Sequence, residues 1–259
     1  MSSILDNIYA AKRVEVRARR EAVSPMAIVA EAGRAPKPRD FAAALSASRP
    51  AIIAEIKRAS PSKGDILPGL DPVAVAREYV AAGAAAISVL TDVHFKGTLE
   101  DLRTVRAAMD APVLRKDFIF DPYQVYEARA AGADCVLLIA AMLKEGELRS
   151  LSALARELGM ATLVESHNAA EFALAQKVGA GLIGINNRDL HTFVTDIAVT
   201  ERLLAGYAGE ALIVTESGID SPDDIRRLDS AGARAFLIGE SLLKGAAPGA
   251  KLGELMRAL

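Results

Sequence analysis

From residue 51 onward the chain repeats one pattern. A short apolar run is followed by a polar loop and then by a longer stretch with apolar residues three and four apart. The apolar runs predict strands over 51–57, 86–91, 112–117, 135–140, 161–165, 182–187, 211–216 and 235–239. They are nearly continuous rather than alternating, as in parallel strands buried on both faces. The longer stretches predict helices over 71–82, 98–109, 122–131, 145–158, 168–178, 197–207 and 222–231. Pro72, Pro122 and Pro222 each follow an N-cap residue, Asp71, Asp121 and Ser221, and sit where a first helical turn accepts proline. Eight strand–helix units in one chain predict a closed (β/α)8 barrel rather than an open doubly wound sheet. Four segments, AAGAAAISVL, AAGADCVLLI, KVGAGLIGIN and SAGARAFLIG, carry a helix-ending glycine (Gly83, Gly132, Gly179, Gly232) before strands two, four, six and eight. That recurrence fits a barrel interior filled in layers by alternate strands.

Residues 1–48 precede the first strand and are predicted to be helical. They are expected to form a helical extension capping the active-site face of a single domain spanning 1–259. Ile4, Leu5, Ile8 and Ala11 mark an apolar stripe; Lys12, Arg13, Arg17, Arg19 and Arg20 make the rest strongly basic. This is either a solvated face or a cap over a site that takes anions. Residues 1–50 hold nine Lys and Arg against five Asp and Glu, whereas the whole chain of 259 residues has a net charge of −2. That balance gives no reason to expect nucleic acid or an anionic membrane as partner. At 51% hydrophobic residues the chain can bury one large core. The single cysteine, Cys135, excludes an internal disulfide framework, fits a reducing, cytoplasmic setting, and lies in an apolar strand as a core residue. No apolar stretch approaches the roughly 20 residues of a membrane span, and a monomer is compatible with the sequence.

Barrels of this kind place their chemistry at the C-terminal ends of the strands. Those ends carry Glu55 and Lys57 on the first strand, then Thr91 and Asp92, then Arg115, Lys116 and Asp117. The fifth carries Glu165 and Ser166, the sixth Asn186, Asn187 and Arg188, the seventh Glu216, Ser217 and Gly218, and the eighth Gly239, Glu240 and Ser241. Glu55 and Lys57, two apart, share a face. Two lysines and several carboxylates at one mouth suit acid–base work on an anionic substrate. Ser60, Pro61, Ser62 and Gly64 form a loop after the first strand with hydroxyls and amides for an anion. Gly218 and Gly239-Glu240-Ser241, leading into a short turn over 241–244, match a phosphate site on the last two strands. Gly179-x-Gly181-x-x-Gly184 spells a dinucleotide fingerprint, but it leaves a helix and enters a strand, the reverse of the required order. His94, His167 and His191 are far apart in sequence and make no metal-ligand pattern, so neither metal nor cofactor is expected; His94 and His191 are placed in loops.

These stretches resemble the indole-3-glycerol phosphate synthase family over essentially the whole chain. The matches are AEIKRASPSKG (54–64), VLRKDFI (113–119), TLVES (162–166), IGINNRDL (183–190), VTESGI (214–219) and LIGESLL (237–243), with LDNIYAAKR resembling the family's additional N-terminal helix. The resemblance implies ring closure of a phosphorylated carboxyphenylamino-deoxyribulose with loss of carbon dioxide and water. It further implies Lys116 as the acid, Glu165 as stabiliser of charge on the anilino nitrogen, and Lys57 and Glu55 in decarboxylation and dehydration. Asn186, Arg188, Glu216 and Ser217 would orient the ribulose part and the lysines. Ser60, Gly218, Gly239 and Ser241 would hold phosphate. Ala59 stands where some members carry a phosphate-binding lysine, so either Arg58 or Lys63 is expected to substitute or backbone contacts suffice. A phosphoribosylanthranilate isomerase-like enzyme needs one acid and one base and leaves the second lysine unexplained. A non-catalytic sugar-phosphate-binding barrel needs none of the four charged residues together.

Overall fold

The structure is a computed structural model that describes residues 4–60, 64–67, 69–189, 192–243 and 247–259. Eight parallel strands close on themselves: β1 (Ala51–Ile56), β2 (Ala86–Leu90), β3 (Val113–Lys116), β4 (Cys135–Ile139), β5 (Ala161–Ser166), β6 (Leu182–Asn186), β7 (Leu212–Glu216) and β8 (Ala235–Ile238). Each pairs with its sequence neighbours, and β1 joins β8 through Ala51 opposite Ala235 to close the ring. This is the barrel the strand–helix pattern predicts, each strand within a residue or two of its expected bounds.

The helical extension folds as three helices: α1 (Ile4–Ala22), α2 (Pro25–Arg34) and α3 (Phe41–Ser46). Ser24 caps α2 with Pro25 behind it, and a segment containing Pro36 and Pro38 separates α2 from α3. Phe41 and Leu45 of α3 join the barrel interior, packing with Ala51, Ala86, Leu114, Cys135 and Ala235 at the starts of the strands. α1 instead lies toward the other end, where Leu5 and Ile8 line the mouth and Tyr9 meets Phe120 edge-on at 4.8 Å. Ala11, read as part of the apolar stripe, is exposed. Lys12 occupies the buried face in its place.

Between the strands run α4 (Pro72–Ala81), α5 (Leu99–Ala108), α6 (Pro122–Ala130), α7 (Glu145–Glu157), α8 (Ala169–Lys177), α9 (Ala198–Leu204) and α10 (Pro222–Ala231). After β8 come α11 (Glu240–Leu243) and α12 (Pro248–Leu255). Asp71, Asp121 and Ser221 accept bonds from the first-turn amides of α4, α6 and α10, so the proline-marked starts fall where the sequence puts them. Gly83, Gly132, Gly179 and Gly232 all have positive φ, which ends a helix and turns the chain into the next strand. α9 stops short of its expected end because Gly206 is left-handed and Tyr207 turns onto Phe172, rings 5.4 Å apart. No described helix is long and apolar enough to cross a membrane.

Candidate active site

Alternation along each strand sorts the strand-end residues by face. Lys116 points into the barrel mouth, whereas its neighbours Arg115 and Asp117 are buried on the opposite face. There Arg115 donates to Asp117 (2.8 Å), Glu127 (2.8 Å) and the Gln124 carbonyl. Likewise Glu216 faces inward. Asn187, on the outer face, donates to the Thr215 hydroxyl and to the carbonyls of Glu216 and Ser217, pinning the end of β7. The sequence lists these outward residues beside the inward ones; the fold makes them buried braces of the mouth.

The inward residues surround a cavity of about 480 Å³. Its lining brings together Glu55, Lys57, Lys116, Glu165, Asn186, Arg188, Glu216, Ser217, Gly218, Gly239 and Ser241, with Leu5 and Ile8 of α1 as an apolar rim. Of the sequence candidates, Ser60 is placed on a two-residue strand paired with Gly64–Asp65, but its side chain, like Pro61, Ser62 and Lys63, lies outside the described residues. His191 and Lys244 also lie outside them. His94 sits in a single turn over Val93–Phe95 and touches Asp92. Arg58 is committed elsewhere: its guanidinium grips Asp101 (2.6 and 2.8 Å) and the Lys96 carbonyl, so it does not stand in for a lysine at position 59. Cys135 is buried in the interior, as read, and burial pushes its thiol up, the reverse of an activated nucleophile.

Two lysines and three carboxylates form one charged cluster at the cavity floor. Lys57 Nζ is 2.7 Å from Glu55 Oε1. Lys116 Nζ is 3.2 Å from Glu165 Oε2 and 3.5 Å from Glu216 Oε2. Burial opposes the charge on Lys116, but Glu165, Glu216 and Glu55 outweigh it and hold the ammonium above its ordinary value. Burial likewise opposes the charge on Glu165, yet Lys116 and His167 hold it well below the usual carboxylate range. Glu55 is lowered in the same way, with Lys57 and Lys116 overcoming burial. Glu216 goes the other way: burial and the Glu165 charge push it up to about 8 against the pull of Lys116. Two adjacent glutamates thus carry one charge and one proton at neutral pH. Glycines make room for this cluster. A Cβ on Gly184 would lie 2.5 Å from Glu216 Oε1, and one on Gly239 2.4 Å from Glu55 Oε1. The glycine spelled as part of a nucleotide fingerprint is therefore a space-maker for Glu216.

On the side of β7 and β8, Ser217 and Gly218 both have positive φ, and Gly239 leads into α11. The Ser241 hydroxyl is buried with no hydrogen-bond partner among the described residues. Arg188 donates to Glu240 (3.0 Å) and Thr195, which fixes its guanidinium along the cavity wall.

Two residues escaped the sequence reading. Lys12, counted with the basic residues of the extension, is fully buried, 2.7 Å from Asp92 and 2.9 Å from Asp117. His167 lies behind Glu165, its Nε2 3.1 Å from Oε1. The only available signals were the i, i+4 spacing of Lys12 from buried Ile8 and Val16, and the two-residue step from Glu165 to His167.

A closed barrel with acids and ammonium groups gathered at the strand C-terminal ends defines a (β/α)8-barrel enzyme of acid–base type. Residues 5–255 match the family model for indole-3-glycerol phosphate synthase. Among curated relatives, the indole-3-glycerol phosphate synthases of Laribacter hongkongensis and Roseiflexus sp. are each 49% identical, with 98% of this chain and 99% and 98% of theirs covered. A solved 3-hexulose-6-phosphate synthase from Salmonella typhimurium superposes with a TM-score of 0.65 at 14% identity, covering 81% of this chain and 98% of that one; this likeness speaks for the fold alone. The chain belongs to the indole-3-glycerol phosphate synthase family, carboxy-lyases of tryptophan biosynthesis, as its strand-end motifs imply.

Proposed function

We propose that the cavity closes the indole ring of 1-(2-carboxyphenylamino)-1-deoxyribulose 5-phosphate with the strand-end residues in distinct roles. An aromatic carbon attacks the ribulose ketone, and Lys116, kept protonated by the carboxylates around it, protonates the ketone oxygen as the carbon–carbon bond forms. Positive charge then develops on the anilino nitrogen, and the ionised Glu165 stabilises it. The ring carboxylate leaves as carbon dioxide, its bonding electrons restoring conjugation, with Lys57 as the cation beside the leaving group. Dehydration needs one hydroxyl protonated and one proton removed. Glu55, paired with Lys57, and the lysines supply both.

Asn186, Arg188, Glu216 and Ser217 orient the ribulose chain and the lysines. The phosphate lies on the amides around Gly218 and Gly239 and on the Ser241 hydroxyl, with Ser60 as a further ligand. Within a single domain spanning 1–259, α1 covers the anthranilate end through Leu5 and Ile8. The reading carries a cytoplasmic monomer whose partner is its small-molecule substrate, with no nucleic acid, membrane or cofactor required.

The observation that carries these roles is the contact of Lys116 with both Glu165 and Glu216, which keeps an acid and an ionised carboxylate adjacent in one cavity. Glu165→Gln tests it. Turnover should fall by roughly 10²–10⁴-fold, the usual worth of one acid–base group, with the KM little changed. Wild-type turnover in that variant removes Glu165 from its role.

A further inference from the structure

His167 does not line the cavity; it stands behind the one carboxylate to which the roles above give a charge-stabilising task. Its ring is built in. Nδ1 lies 3.0 Å from Glu171 Oε2, and the His167 backbone amide donates to the same oxygen at 2.8 Å. Asn168 donates to the other Glu171 oxygen at 2.6 Å, and its own side-chain oxygen caps α8 through the amides of Ala170 and Glu171. The first turn of α8 therefore fixes Glu171, and Glu171 fixes the imidazole. The ring's remaining nitrogen, Nε2, lies 3.1 Å from Glu165 Oε1 with the His167 side chain 9% exposed.

We propose that His167 is a positioning residue for the ring closure: anchored on Glu171, its imidazolium stands against Oε1 of Glu165 as an ion pair and leaves Oε2 for Lys116. The inference rests on Glu165 acting as the ionised carboxylate of the site. It explains an asymmetry that the two lysines leave open. Glu165 and Glu216 both face Lys116, but Glu165 has a cation on each oxygen, whereas among the described residues Glu216 has Lys116 alone, at 3.5 Å. The charged groups around the pair are Lys116 on β3, Glu216 on β7, Glu55 with Lys57 on β1 and its exit, and Glu171 on α8. The second cation decides which glutamate keeps the proton. Two carboxylates face the ring, and although burial lowers its pKa, Glu165 and Glu171 raise it to about 10, so the ring stays cationic across the working range. A purely structural histidine would brace Glu171 in the first turn of α8 without any consequence for proton placement.

The test combines His167→Asn, which removes the cation, and Glu171→Gln, which removes the anchor's charge while keeping its shape. Both should lower kcat by about 10-fold or more with the KM within about 2-fold. In His167→Asn the acidic limb of kcat/KM, which reports the free enzyme, should move up by about one pH unit or more, because Glu165 loses an opposite charge at contact distance. Nitrogen-15 NMR of the wild-type ring should show it protonated at pH 8. Wild-type kcat and pH profile in both variants, or a ring that titrates near pH 6.5, would overturn the proposal. If His167→Asn does not fold, Glu171→Gln and the wild-type ring titration decide. Glu165→Gln separates the two layers: an inactive Glu165→Gln beside a wild-type-like His167→Asn defeats the positioning role alone, and an active Glu165→Gln defeats both.

Discussion

Replacing Lys12 by methionine probes how α1 is fastened over the cavity. The ammonium is fully buried, in contact with Glu15 (2.8 Å), Asp92 (2.7 Å) and Asp117 (2.9 Å). Methionine fills much of the same volume and removes only the charge, leaving two buried carboxylates short of a cation. Breaking such a pair from one side costs about 3–5 kcal/mol. Here the lower end applies, since Asp117 keeps Arg115 and the Thr91 hydroxyl, and Asp92 keeps contact with His94. A loss of about 3 kcal/mol corresponds to a fall of roughly 6–12 °C in Tm for a chain of this size.

The pH dependence has a definite sign. Burial opposes charge on both partners, yet Asp117 and Asp92 hold Lys12 above its ordinary value, and Arg115 and Lys12 hold Asp117 well below its own. The lysine's contribution is complete below its unfolded pKa of about 10.4 and fades as pH rises through the folded one. The aspartate's is complete above its unfolded pKa of about 3.9 and fades as pH falls. The gap between variant and wild type is therefore widest between about pH 4 and 10 and narrows on either side. Because α1 carries Leu5 and Ile8 into the cavity, the KM should also rise, by roughly 10-fold, or about 1.4 kcal/mol of binding. Urea melts across pH and steady-state kinetics measure both effects. Adding Asp92→Asn should restore part of the stability, as expected of coupled neighbours. A Lys12→Met protein within about 0.5 kcal/mol of wild type and with an unchanged KM refutes the clamp.

Glu216→Gln should make the protein more stable at pH 8 by more than about 1 kcal/mol and leave it unchanged near pH 4. The unfolded glutamate loses its proton near pH 4.3 whereas the folded one holds it to about 8, so wild-type stability falls across that interval. Equal urea midpoints at both pH values would remove the proton from Glu216. Gly239→Ala places a methyl 2.4 Å from Glu55 Oε1 without backbone strain, so it should displace Glu55 from Lys57 and lower kcat by about 10²-fold while far-UV circular dichroism stays native. Full activity would show that Glu55 needs no such room.

The barrel was legible because its signals are local. Apolar runs, capping residues before Pro72, Pro122 and Pro222, and glycines that end helices each act within a few residues. The strand-end candidates were legible for the same reason, since period two and a known end of the barrel assign them. What escaped depends on tertiary partners. Lys12 reads as a solvated cation until Asp92 and Asp117, from two other strand ends, close around it. Arg58 reads as a free phosphate ligand until α5 brings Asp101 to it. His167 reads as an isolated ring until the cap of α8 turns it onto Glu165. Gly184 reads as a nucleotide motif until Glu216 needs its space. Charge pairing across distant segments has no periodicity along the chain.

The central claim is that Lys116 is the acid of the ring closure. The measurement is indole fluorescence on mixing enzyme with 1-(2-carboxyphenylamino)-1-deoxyribulose 5-phosphate, for wild type and Lys116→Ala. The account predicts a rise with wild type and none on the same timescale with the variant, which still binds substrate with an affinity within a few-fold of wild type. Turnover by Lys116→Ala within 10-fold of wild type would contradict it.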